Sequence, residues 1–233
     1  MTAPTSGSTA APEATRSDWQ DWVRTNLRRV GIGAGAVAVA AAAVLGYVAS
    51  VKRKEAFAAQ ALAQAWATVE AGNMPLAAND LTRLVERFSG TRAADEGAIL
   101  LNDIRLLNGE TDAAARALQE FLRKSRPDYF EASAYSLLGG ALENQRRFPE
   151  AAQAYRQASE RASLDFLKAQ YLLDAGRAFV LARDTANARA SFGQVLTRFG
   201  ELPQASEARV RMAEVGGEVP PPAPRGSAAG SGA

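Results

Sequence analysis

Any chemistry in this chain of 233 residues must come from carboxylates, hydroxyls, amides and basic side chains, because it contains no histidine and no cysteine. Cys-nucleophile and Ser-His chemistry, His- or Cys-ligated zinc, haem, iron–sulfur clusters and disulfides are excluded on that ground. Asp and Glu, 25 in all, remain as candidates for acid–base work. They are strewn along the chain and several sit near arginines, as in Asp95-Glu96 shortly after Arg92, and no pair is marked out by its surroundings. Gly31-x-Gly33-x-Gly35 is no phosphate loop, since it lies in an apolar span and no Lys-Ser/Thr follows it. A formal net charge of only +2, with no basic stripe interleaved with aromatics, argues against nucleic acid as a partner. The residue types thus point away from an enzyme: no catalytic residue, no cofactor, no metal and no small-molecule substrate are expected.

What the sequence does organise is helices. Val30 to Val51 is an uncharged run of 22 residues between Arg29 and Lys52. A helix of that length spans roughly 33 Å, enough for a hydrocarbon core of about 30 Å. The run is apolar all round, and charges end it sharply on both sides, which disfavours a buried helix of a soluble domain. A cleaved signal peptide fits poorly, because the polar lead is long and Lys52-Arg53-Lys54 stands where a cleavage site belongs. The segment reads as an uncleaved signal anchor. Its orientation is close to a tie by charge, with Arg16, Arg24, Arg28 and Arg29 on one side and Lys52, Arg53 and Lys54 on the other. Residues 1–29 form a lead, disordered over Met1–Ser17 and then a short interfacial helix carrying Trp19, Trp22, Val23 and Leu27. Residues 217–233, with Pro220-Pro221-Pro222, read as a disordered tail.

Between these ends the chain repeats itself. Ala77, Ala114, Ala151 and Ala188 are spaced by 37 residues, and four residues after each comes Leu81, Leu118, Tyr155 or Phe192. Twelve residues before each alanine stand Ala65, Asn102, Gly139 and Gly176. Pro75 and Pro149 keep the register two periods apart, and Arg87-Phe88 recurs as Arg198-Phe199. Within each unit the apolar spacing is that of one helical face. Gly72-Asn73 and Asn108-Gly109 break the pattern into two helices, and Pro75 and Pro149 suit the first turn of the second. Neither helix of such a pair buries its apolar face alone, so the pairs must stack into an α-solenoid with a continuous core.

Tyr135, Leu138, Gly139, Leu142, Ala151, Tyr155 and Ala158 resemble the signature of a tetratricopeptide repeat, and Leu172, Gly176, Phe179, Ala188, Phe192 and Val195 match it again. The first two units depart from it, with Ala65 and Asn102 in place of Gly and with Thr68 and Arg105 in place of an aromatic or Leu. The expected fold class is all-α: a single N-terminal transmembrane helix at 30–51, then a tetratricopeptide-like α-solenoid at 52–216. Its repeats fall at about 55–91, 92–128, 129–165 and 166–203, with a capping helix at 204–215. In the fold this resemblance implies, the first helix of each repeat lines a concave groove. Carrying the register across places Leu62, Trp66, Val69, Ile99, Asp103, Leu106, Glu143, Asn144, Arg147, Leu173, Arg177 and Val180 there as protein-binding candidates. Trp66 is the best single candidate for contact. The competing reading is that several of the twelve pack inward as ordinary core. The Lys/Asn clamp for a chaperone's C-terminal carboxylate is not visible.

The layout of short lead, one membrane helix and repeat domain resembles the ancillary Sec-translocon subunits of the YfgM type. That resemblance implies an inner-membrane, single-pass protein with a cytoplasmic N-terminus and a periplasmic repeat domain. Its implied partners are a SecYEG-type channel, a membrane-anchored periplasmic chaperone or emerging client polypeptides. Two alternatives stand beside it: a scaffold for envelope assembly or division, and a cytoplasm-facing adaptor that tethers soluble proteins to the membrane.

Overall fold

The computed structural model describes residue 22 and residues 24–219. The expected disordered lead Met1–Ser17, the interfacial residues Trp19 and Val23, and the tail from Pro220 onward lie outside the described residues. Among the described residues the chain is all-helical. Nine helices follow in order: α1 Leu27–Glu70, α2 Met74–Arg87, α3 Arg92–Leu107, α4 Thr111–Leu122, α5 Asp128–Asn144, α6 Phe148–Arg161, α7 Asp165–Leu181, α8 Thr185–Arg198 and α9 Gln204–Glu214. The chain divides into two units, Met1–Lys54 and Glu55–Ala233, and α1 contributes residues to each.

In the first unit, every side chain from Gly31 to Lys54 is exposed. An 18-residue window in α1 has a mean hydropathy of 2.1 and none of it is buried in protein. Ile32, Val37, Val39, Val44, Leu45 and Tyr47 stand among the large apolar side chains left uncovered. A helix apolar on all faces belongs in the core of a protein or in a membrane. By length and composition this one is sufficient to cross a membrane.

The second unit is the solenoid that the repeat implies. Residues Glu55–Glu70 of α1 pair with α2, and α3/α4, α5/α6 and α7/α8 continue the series to α9, the cap. The four register alanines Ala77, Ala114, Ala151 and Ala188 are all fully buried, and Leu81, Leu118, Tyr155 and Phe192 are buried beside them. Gly139 and Gly176 explain how closely the helices of the last two pairs approach. A Cβ at Gly139 would stand 2.6 Å from the Tyr155 ring, and one at Gly176 would stand 2.3 Å from the Phe192 ring. Only glycine leaves room for those rings.

Helix ends are set by local chemistry. Asn73 caps α2 by accepting from the Leu76 N–H at 3.2 Å, and Pro75 occupies the first turn, where no N–H is missed. Thr91 caps α3 through the Ala94 N–H at 3.1 Å. The α3 N-terminus gains a second acceptor, because the Glu55 carboxylate takes the N–H groups of Arg92 and Ala93 at 3.0 and 3.1 Å. That contact joins α1 to α3 and places a negative charge where the helix dipole favours it. The turns inside the four pairs need a left-handed residue at one register position. Gly72 (φ 75°), Gly109 (φ 78°), Arg146 (φ 60°) and Arg183 (φ 60°) supply it, each 37 residues after the last.

The core is less uniform than a fully continuous stack. Buried apolar residues fall into two clusters. The smaller joins Leu62, Leu81, Leu84, Leu101 and Ile104 with four alanines, and the larger runs from Ala98 to Met212. Residues of α3 serve both, and Asn102, polar and buried, lies on that helix between them.

Candidate protein-binding groove

The twelve register candidates separate into four groups in the structure. Trp66, Ile99 and Asp103 come together in one cleft of about 330 Å³, joined by Glu96, Leu100, Ser133, Ser136, Leu137 and Tyr171. These residues come from the α1 segment after Glu55 and from α3, α5 and α7, so the first helices of all four pairs line one surface. Trp66 is 40% exposed and presents an indole to that cleft. Tyr171 is half-buried there, and burial pushes its phenol above the ordinary tyrosine range against a hydrogen bond with Ser136.

Glu143, Arg177 and Val180 form a second cluster further along, in a cleft of about 360 Å³ with Leu181, Arg211 and Glu214. Its charges are tied to one another and to the core. The Tyr155 hydroxyl donates to Glu143 at 2.9 Å, and Arg177 donates to Asp174 at 2.6 Å. Burial, aided by the Glu143 carboxylate, drives the Tyr155 phenol far above its usual range, so it stays a neutral donor. Burial also raises the Asp174 carboxyl against the opposing pull of Arg177 and Gln170. Val69 and Leu106, at the equivalent position to Glu143 in the first two pairs, are half-buried, and both pack against the core.

Four candidates do not face the groove. Leu62 and Leu173 are buried within the two core clusters, Leu173 to 1% exposure, and present no surface. Asn144 ends α5 and lines a separate cleft with Gly109, Asp112 and Arg116, at the turns between paired helices. Arg147 is the residue before α6 and ion-pairs with Glu150 of the same turn at 3.2 Å. In the third repeat the position equivalent to Trp66 and Asp103 is Gly140, which offers no side chain. Ser136 and Leu137 take its place in the cleft. The signal that finds them is the same 37-residue step, since Ile99 leads to Ser136 and Leu100 to Leu137.

A larger cleft, about 630 Å³, opens between α2 and α4 with Ala94, Ala98 and Asn102 of α3 among its lining residues. One period on, Ala94 and Ala98 become Glu131 and Tyr135, and two periods on they become Lys168 and Leu172. In the first of these places Arg161 ion-pairs with Glu131 and lies over the Tyr135 ring. In the second, a cleft of about 350 Å³ remains. The opening is larger where the two register positions carry the small side chains Ala94 and Ala98. The polar groups in it are partly satisfied: Asn102 donates to the Ala98 carbonyl at 2.8 Å and accepts from Arg105 at 3.2 Å, and Arg126 pairs with Asp95 at 2.9 Å.

The tetratricopeptide repeat family matches residues 103–165, from the groove residue Asp103 on α3 through α6 to the first residue of α7. No curated protein matches the chain. The match covers the region where the signature residues of the third repeat lie, and together with the helix order it supports a tetratricopeptide-repeat protein.

Proposed function

We propose that this tetratricopeptide-repeat chain is a membrane-tethered protein-interaction module with no catalytic role. The observation that carries the reading is the pairing of an uncovered apolar helix with a groove that brings Trp66, Ile99, Leu137 and Tyr171 to one surface. Apolar and aromatic side chains in a preformed cleft suit the anchor residues of a polypeptide. A tether raises the effective concentration of that groove for partners at the membrane, so weak contacts suffice for capture.

The finer reading follows the layout. Residues 30–51 are the anchor and 52–216 the interaction domain. The chain sits in a bacterial inner membrane with its N-terminus cytoplasmic and its repeats periplasmic. It is an ancillary translocon component that meets the Sec channel, a membrane-anchored chaperone or emerging clients. Reporter fusions after Val215 that are active on one side of the membrane test the topology. A periplasmic reporter signal, followed by co-purification of a translocon channel in mild detergent, is the expected outcome. Co-purification of barrel-assembly or division machinery instead transfers the protein to the envelope-scaffold reading, and a cytoplasmic signal makes it an adaptor for soluble proteins.

A further inference from the structure

Along the groove, the carboxylates are treated in two different ways. Toward α7, each has an internal partner: Asp174 is met by Arg177 and Gln170, and Glu143 by Tyr155. Toward α1 and α3, Glu96 and Asp103 border the cleft that holds Trp66, Ile99, Leu100 and Leu137, and no Lys or Arg lines that cleft. Both side chains are exposed, and neither has a hydrogen-bond or ion-pair partner among the described residues. Two uncompensated negative charges beside a half-exposed indole make a surface that is apolar in its floor and acidic at its edge. Apolar contact in such a place supplies affinity, and charge selects the partner by attraction of one sign and repulsion of the other.

We propose that this half of the groove receives a cationic apolar segment of a partner protein, in which Lys or Arg flank large aliphatic or aromatic residues. Its cations meet Glu96 and Asp103, and its apolar residues rest on Trp66, Ile99 and Leu137. The proposal deepens the reading of the groove as a protein-binding site and rests on it. It also sets the direction of discrimination: acidic segments are rejected, which is the opposite of a site built to hold a carboxylate terminus.

The test uses the full chain in phosphatidylcholine nanodiscs, with empty nanodiscs as the control for lipid binding. Three labelled peptides share one Leu/Trp pattern and carry Lys, Gln or Glu at the polar positions, and binding is read by fluorescence anisotropy at low and moderate salt. The Lys peptide is expected to bind most tightly, to weaken as salt rises, and to lose about tenfold in affinity with the E96Q/D103N double variant. Those two substitutions preserve shape on exposed positions, so folding is kept. Trp66→Ala is expected to weaken the Lys and Gln peptides alike. If the three peptides bind equally but depend on Trp66, the cationic preference is overturned and the groove remains a protein-binding site. If the Lys peptide binds and ignores both E96Q/D103N and W66A, it binds elsewhere and the proposal falls. If no peptide binds at all, the proposal and the protein-binding reading of this half of the groove fall together.

Discussion

The first two helix pairs and the last two follow one period but are built differently. In the last two, Gly139 and Gly176 let Tyr155 and Phe192 pack closely on the facing helix, Glu131 and Tyr135 meet Arg161 between neighbouring second helices, and at Lys168 and Leu172 a smaller cleft remains. In the first two, Ala65 and Asn102 hold the glycine positions, Leu81 and Leu118 replace the rings, and Ala94 and Ala98 leave a cleft of about 630 Å³. The same contrast appears in the groove, where Glu143 and Asp174 of the late half accept hydrogen bonds from Tyr155 and Arg177, and Glu96 and Asp103 of the early half have no such partner among the described residues. The late pairs are marked by aromatic rings packed on glycine and by groove carboxylates with internal partners. The early pairs are marked by an open cleft and by two exposed groove carboxylates. Repeat proteins permit such differences because each unit contacts only its neighbours, so one pair can change its packing without altering the rest.

Gly176→Leu strikes the late pairs hardest. The added side chain has nowhere to go, because the Phe192 ring it meets is itself fully buried. Denaturant unfolding should show a loss of about 3 kcal/mol, and hydrogen exchange should accelerate first in α7 and α8. An unchanged melt would remove the close helix approach from the account. Next in size is Glu131→Gln, which leaves Arg161 without its counter-charge and weakens the acceptor for the Arg126 N–H at 3.1 Å. A loss of about 2 kcal/mol is expected in chemical denaturation.

Ala98→Tyr reverses the logic by giving α3 the side chain that α5 carries at Tyr135. If the cleft is simply unfilled space, stability rises by about 1 kcal/mol; a fall of that size would mean the surrounding helices do not accommodate the ring. The turns give a paired test of similar size. Arg183→Gly should relieve strain at φ 60° and Gly109→Arg should introduce it at φ 78°, with opposite shifts of about 1 kcal/mol or less.

The smallest effect concerns Asp174. Burial raises its carboxyl above the ordinary value in the folded state, so the unfolded chain releases that proton at lower pH. Its contribution to stability is therefore greatest below the unfolded carboxyl pKa and is lost as pH rises through the folded one. Asp174→Asn should gain a little stability at neutral pH relative to the native protein, and the gain should vanish in acid. A gain that persists at low pH would point to packing and not to ionisation.

Much of the fold was legible because the repeat is written in side-chain size. The four alanines spaced by 37 residues, the large residue four positions on and the glycines twelve positions back all sit in the packing roles their spacing implied. The turns were legible only in part. Gly72 and Gly109 advertise a left-handed residue, but Arg146 and Arg183 adopt the same conformation with nothing in their side chains to announce it. There the surrounding helix pair dictates the backbone and absorbs the strain.

The groove was legible on its first two repeats and not on its third. Period and composition sufficed to place Trp66, Ile99 and Asp103 on first helices, and these three do share one cleft. They did not suffice for the third repeat, where Asn144 and Arg147 lie toward the turn and Ser136 and Leu137 carry the surface. On a helix each residue turns by about 100°, so a slip of a few positions moves a side chain to another face. By itself, then, the sequence determined that the chain is helical, that it repeats every 37 residues and that one segment is too apolar to be left in water. Which faces are covered, where a small residue leaves a cleft and which carboxylates find a partner were decided only when the helices packed. Those outcomes depend on distances between residues a full period apart, such as Glu55 to Arg92, that no local pattern contains.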